Sequence, residues 1–123
     1  MALDVLIVDD SAAIRKILHR VLRQADIPLG EVYEASNGAE ALASLERNSV
    51  NLVLTDINMP EMDGLELLRR LRDSEAWKSL PVVVITTEGG KAGVLEAAKL
   101  GAAGYVKKPF TADQIKEKLA GLF

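Results

Sequence analysis

Three aspartates, a threonine and a lysine are the residues of this chain best placed to do chemistry. Asp9 and Asp10 close one short apolar run, Asp56 closes a second, Thr86 a third, and Lys108 follows a fourth. Two carboxylates about 5 Å apart repel by ~3 kcal/mol at an effective dielectric near 20, so three clustered acids cannot all stay ionised without compensation. A bound cation is the natural remedy. Carboxylate oxygens with room for waters and phosphate oxygens suit Mg²⁺. Lys108 adds a mobile positive charge and Thr86 a hydroxyl donor, so the set is suited to a phosphoryl group. The chain has no cysteine, and its single histidine, His19, is predicted to lie away from these residues. The expected nucleophile is therefore a carboxylate, giving an acyl phosphate. An isolated aspartate after a strand is usually an ordinary turn residue; the chemistry requires that the separate stretches meet.

The elements that must bring them together can be read in order. Val5 to Val8 form a buried strand ending at Asp9 and Asp10. Ser11 can cap a helix whose Ile14, Ile17, Leu18, Val21 and Leu22 share one face. Ile14 reads as core, with docking of a partner as the alternative. His19 lies off that stripe and reads as solvated, as do Arg15, Lys16, Arg20 and Arg23. Ala25 to Gly30 is a loop, and Glu31 to Ala35 a short strand whose polar content suits a sheet edge. Ser36-Asn37-Gly38 turns into a helix burying Ala41, Leu42 and Leu45. Leu52 to Leu54 is an apolar run of the kind buried on both faces, ending at Thr55-Asp56. Pro60 and Asp63-Gly64 then force a loop, and Leu65, Leu67, Leu68 and Leu71 resume at helical spacing to about Ser74.

Trp77 reads as a packing residue. Val82 to Ile85 is a β-branched strand ending at Thr86 and Thr87, and Glu88-Gly89-Gly90 reads as a hinge, with neither a Walker loop nor a dinucleotide fingerprint present. A small-residue helix carrying Val94, Ala97, Ala98 and Leu100 stops at Gly101. Ala103 to Lys107 is a fifth strand, and Thr111 with Gln114 opens a last helix as a capping box, burying Ile115, Leu119 and Leu122.

Size and charge narrow the function. With 123 residues and 49% hydrophobic content, one domain with one core is expected over 1–123. The absence of cysteine excludes disulfides and thiolate metal sites, so any metal must be held by oxygen. A net charge of -3 argues against a phosphate-backbone binder, hence against direct nucleic-acid binding. The apolar runs are too short for membrane insertion, and no signal segment opens the chain, so a cytoplasmic protein is expected. Five strands alternating with five helices imply an α/β fold, a parallel sheet covered on both faces with right-handed crossovers. All five strand ends then share one edge, where such sheets bind ligands.

Asp9-Asp10, Asp56 followed by Met59-Pro60 and Met62-Asp63-Gly64, Thr86, Tyr105 and Lys108-Pro109 resemble, in order and over the whole chain, the receiver domains of bacterial response regulators, the CheY-like ones in particular. The resemblance implies a flavodoxin-like, doubly wound (βα)5 sheet in the order 2-1-3-4-5, which puts a crevice between strands one and three. It implies that Asp56 accepts a phosphoryl group from a histidine kinase or a small acyl phosphate. Asp9 and Asp10 would hold Mg²⁺ with Asp56 and the Asn58 backbone carbonyl, and Lys108 would bind a phosphoryl oxygen beside a cis Lys108-Pro109 bond. Thr86 and Tyr105 would form a switch altering the surface of helix four, strand five and helix five. Asn58 and Glu88 stand where the family tunes phosphoryl lifetime.

On this resemblance the chain is expected to be a monomeric, stand-alone receiver with no output domain, since it ends just after helix five. It would be a phosphoacceptor signalling protein rather than an enzyme. Its partners would be a histidine kinase, such as a chemotaxis kinase, and a downstream protein such as a flagellar motor switch protein. Two other classes fit these residues less well. A haloacid-dehalogenase-like phosphatase needs a second aspartate two residues after its nucleophile, where this chain has Asn58. A flavodoxin-like electron carrier needs a hydroxyl-rich phosphate loop after strand one, where this chain has Asp9-Asp10.

Overall fold

The computed structural model describes residues 2–25, 27–86, 91–108 and 110–122, with Lys91 and Ala92 described by backbone only. The expected alternation is present: β1 (Leu3–Val8), α1 (Ala12–Gln24), β2 (Leu29–Ala35), α2 (Gly38–Arg47), β3 (Leu52–Thr55), α3 (Gly64–Arg72), β4 (Val82–Thr86), α4 (Lys91–Lys99), β5 (Gly104–Lys107) and α5 (Ala112–Ala120). The sheet runs β2-β1-β3-β4-β5 with every pair parallel, the flavodoxin-like order. Strand order therefore reverses between β1 and β3.

Alternation along the strands divides the core in two. One face of the sheet, with Leu6, Val8, Val53, Val82 and Val84, packs against α2, α3 and α4 through Ala41, Leu45, Leu67, Leu68, Leu71 and Ala97. The other, with Val5, Ile7, Leu52, Leu54, Val83 and Ile85, packs against α1 and α5 through Leu18, Leu22, Ile115 and Leu119. The central strands are buried on both sides, which is why they read as unbroken apolar runs.

The helices start where the sequence supplies caps. Ser11, Asn37 and Asp63 each accept a backbone N–H three residues on, and Thr111 with Gln114 completes a capping box. Trp77 packs against the first core, as expected.

Several local expectations are corrected. β2 begins at Leu29, because Leu3 pairs with Leu29 across an irregularity that the Pro28-containing stretch concealed. β5 begins at Gly104, one residue late. Ile17, counted among the buried face of α1, is 41% exposed. His19 is half-buried, and its Nε2 is sealed from solvent with no hydrogen-bond partner among the described residues. Arg15 is also taken out of solvent. The Glu88-Gly89-Gly90 hinge, Thr87 and Pro109, with its expected cis bond, lie outside the described residues.

Candidate functional site

The convergence of the acids follows from strand register. In the β1–β3 ladder Val8 pairs with Thr55, so Asp9 and Asp56 are each the next residue on neighbouring strands. Adjacent strands lie about 5 Å apart, which brings two acids from distant sequence side by side. The Asp56 N–H donates to the Val8 carbonyl at 2.9 Å, fixing this end of the ladder. One oxygen from each of Asp9, Asp10 and Asp56 lies within 4.8 Å of the others. Asp9 is buried, Asp56 half-buried and Asp10 exposed, so the cluster opens to solvent on the Asp10 side.

Lys108 closes it from the far side of the sheet. Thr86 pairs with Lys107, and the Lys108 N–H donates to the Thr86 carbonyl at 2.9 Å. From there the ammonium spans both carboxylates, with Nζ 2.8 Å from Asp9 Oδ2 and 3.3 Å from Asp56 Oδ2. Burial works against its charge, but the Asp9 hydrogen bond and the Asp56 and Asp9 charges outweigh it and hold the lysine above its ordinary pKa. Asp56 behaves oppositely. Burial raises its carboxyl, the Lys108 charge draws it back, and the Asp9 charge raises it again, leaving it above the ordinary carboxylate range. The free oxygens are fixed too: Asp56 Oδ1 accepts the Ile57 N–H at 2.7 Å, and Asp9 Oδ1 accepts the Ser11 N–H at 2.9 Å.

The loop after β3 is folded back to keep Asp56 in place. The Gly64 N–H donates to the Ile57 carbonyl at 2.8 Å, and a Cβ at Gly64 would collide with the Asp56 carbonyl oxygen. Only glycine permits the start of α3 to approach so closely. The same loop is tied to α2 by a 2.9 Å bond from the Gly38 N–H to the Met62 carbonyl. Asn58 is exposed in this loop, two residues beyond Asp56.

Thr86 and Tyr105 stand together on one face of the sheet. Tyr105 pairs with Val84, two residues before Thr86, and packs against the core beneath α4, while Thr86 is fully buried. Tyr105 also lines an open groove of about 790 Å³ with Lys107, Gln114, Glu117 and Lys118.

Arg15, read from the sequence as solvated, reaches the site. Its Nη1 donates to the Asp9 carbonyl oxygen at 2.6 Å and its Nε to Glu34 Oε1 at 2.9 Å. No periodicity signals this, since Glu34 lies on β2.

The donor set suits a hard divalent ion: three carboxylates, no thiolate and no imidazole, open to water at Asp10. Asp9, Asp10 and Asp56 would hold it. Among the described residues no helix is long and apolar enough to cross a membrane.

Comparison with known proteins gives a consistent result. Residues 5–120 match the model of the response regulator receiver domain. Chemotaxis protein CheY1 of Helicobacter pylori is 44% identical over 115 residues, covering 93% of this chain and 91% of that protein. Among solved structures, the Vibrio cholerae chemotaxis protein CheY4 has a TM-score of 0.89 at 32% identity, covering 100% of both chains. A CheX–CheY complex with BeF3 and Mg²⁺ from Borrelia burgdorferi has a TM-score of 0.89 at 26% identity, covering 98% of this chain and 89% of that one.

Proposed function

The chain belongs to the response regulator receiver domain family and is CheY-like, and from that premise we propose that it accepts a phosphoryl group on Asp56 and passes the change to a protein partner. The observation that carries this is the Asp56 carboxylate set between Asp9, Asp10 and the Lys108 ammonium at the reversal point of the sheet. An oxygen of Asp56 attacks phosphorus, and the new O–P bond forms as the bond to the donor's leaving group breaks. The leaving group is a kinase histidine nitrogen or the carboxylate of a small acyl phosphate. Ile57 N–H orients the nucleophile, and Lys108 turns from the carboxylates to the incoming phosphoryl oxygens.

Asp9, Asp10, Asp56 and the Asn58 carbonyl would hold Mg²⁺, which would supply charge neutralisation at those oxygens. That a CheY homologue of the same fold is found with BeF3 and Mg²⁺ supports this choice of ion. Thr86 then engages the phosphoryl group and Tyr105 repacks, altering the α4–β5–α5 face.

Residues 1–123 act as one receiver unit, a cytoplasmic phosphoacceptor that assists only its own phosphorylation and dephosphorylation. Its partners are a chemotaxis histidine kinase and a downstream protein such as a flagellar motor switch component, and it works as a monomer. Incubation with acetyl phosphate and Mg²⁺ should add one phosphoryl group by intact mass, and Asp56→Asn should add none. Full labelling of that variant would place the acceptor elsewhere.

A further inference from the structure

Arg15 leaves the solvated face of α1 to make two charge-assisted bonds, with its side chain 18% exposed. The carbonyl it holds belongs to the peptide joining Asp9 to Asp10. Rotation of that peptide changes ψ of Asp9 and φ of Asp10 together, and so the direction in which each carboxylate leaves the backbone. Among the described residues, the other bonds at this pair fall on the Asp9 side: its N–H donates to the Ala35 carbonyl at 3.0 Å, its Oδ1 takes the Ser11 N–H and its Oδ2 the Lys108 ammonium. Glu34, level with Ile7 across the β1–β2 ladder, engages Nε and so turns Nη1 toward the carbonyl. One planar guanidinium thereby fastens α1, the end of β1 and β2 at the acid pair.

We infer that Arg15, keyed by Glu34, is a positioning residue for the acid pair: it sets the Asp9–Asp10 peptide so that both carboxylates are prearranged for a divalent cation. The inference rests on the metal-dependent phosphoacceptor reading above. It also makes a prediction of unusual sign. A nearby positive charge repels a cation, so by electrostatics alone its removal would tighten Mg²⁺ binding; positioning requires the reverse. Lysine keeps the charge but lacks the rigid fork that serves two partners at once.

Calorimetric titration of the full chain with Mg²⁺ tests it. Arg15→Ala should weaken Mg²⁺ binding about 10-fold, the low end of what loss of a supporting contact behind a metal ligand costs. Arg15→Lys, which leaves net charge unchanged and the fold least disturbed, should weaken it by a smaller factor. With acetyl phosphate, the Mg²⁺ concentration for half-maximal labelling should rise in both variants while the rate at saturating Mg²⁺ is preserved. Unchanged or tighter Mg²⁺ binding in folded Arg15→Lys, accompanied only by a lower melting temperature, would reduce Arg15 to a structural staple and overturn the inference. Failure of the parent reading looks different: the unaltered chain would bind no Mg²⁺, or Asp10→Asn would bind it as tightly as the unaltered chain does.

Discussion

At Asp56 one side chain carries a conflict between burial, a like charge from Asp9 and an opposite charge from Lys108, and the conflict leaves its carboxyl above the ordinary range. A raised acid binds more protons folded than unfolded between its two pKa values. Stability from this group therefore falls as pH rises from the unfolded value through the folded one, and the penalty is full above both. Asp56→Asn removes it. The variant should be more stable than the unaltered chain by ~1 kcal/mol at neutral pH, a gain common when a functional site is relaxed. The difference should shrink toward zero below the unfolded carboxylate value. Urea titrations of both proteins at neutral and at acid pH check this, and an equal gain at both would mean the charge is not its source. The meeting of Asp56 and Lys108 was legible because residue type and place at a strand end decide it. Arg15 and His19 were not: helical spacing places both off the apolar stripe, whereas Arg15 is claimed by Glu34 on another element and His19 is half-buried.

Among the elements, the strand ends were readable, as were the beginnings of β3 and β4, whereas β1, β2 and β5 begin at Leu3, Leu29 and Gly104 rather than where the sequence placed them. A parallel strand buried on both faces is an apolar run that must stop where its backbone meets solvent, and Thr55-Asp56 and Val8-Asp9 mark that stop. Leu29-Gly30 carries no such mark, since an edge strand is half-solvated and follows Pro28 directly. The turn into α3 was legible as a loop from Pro60 and Asp63-Gly64, but why glycine is required appears only in three dimensions. Gly64 lets α3 begin against the Asp56 carbonyl. Gly64→Ala should push the start of α3 away from β3 and cost about 3 kcal/mol, the upper end for overpacking against fixed backbone. Urea unfolding measures the loss, and a cost under about 1 kcal/mol would show that the loop yields freely. Thr111→Ala, which removes one half of a solvent-exposed capping box, should cost only ~1 kcal/mol and leave labelling of Asp56 intact.

For the molecule as a whole, the proposed function requires that an event at the edge of the sheet reach its α4–β5–α5 side. The second half of α4 and the turn after it are tethered to α3, with Arg69 Nη2 3.4 Å from Glu96 Oε1 and Arg72 donating to the Gly101 carbonyl at 3.0 Å. Motion that leaves these bonds intact must be concentrated toward the start of α4 and in β5, where Tyr105 packs beneath it. A ligand shifts such an equilibrium only through contacts that differ between the two arrangements. In the proposed switch that differing contact is the Thr86 hydroxyl, a buried group whose backbone already holds Lys108. Thr86→Ala deletes it while leaving Asp9, Asp10, Asp56 and Lys108 in place. The variant should therefore label with acetyl phosphate and Mg²⁺ as fully as the unaltered chain, at a stability cost of ~1 kcal/mol for the lost methyl group. Hydrogen exchange separates labelling from transmission. In the unaltered chain labelling should change the exchange of β5 and of α4, and in Thr86→Ala that change should fall several-fold. If β5 responds as strongly without the hydroxyl, the signal travels through the backbone bond between Thr86 and Lys108 instead, and Tyr105 follows the movement of Lys108 rather than of Thr86.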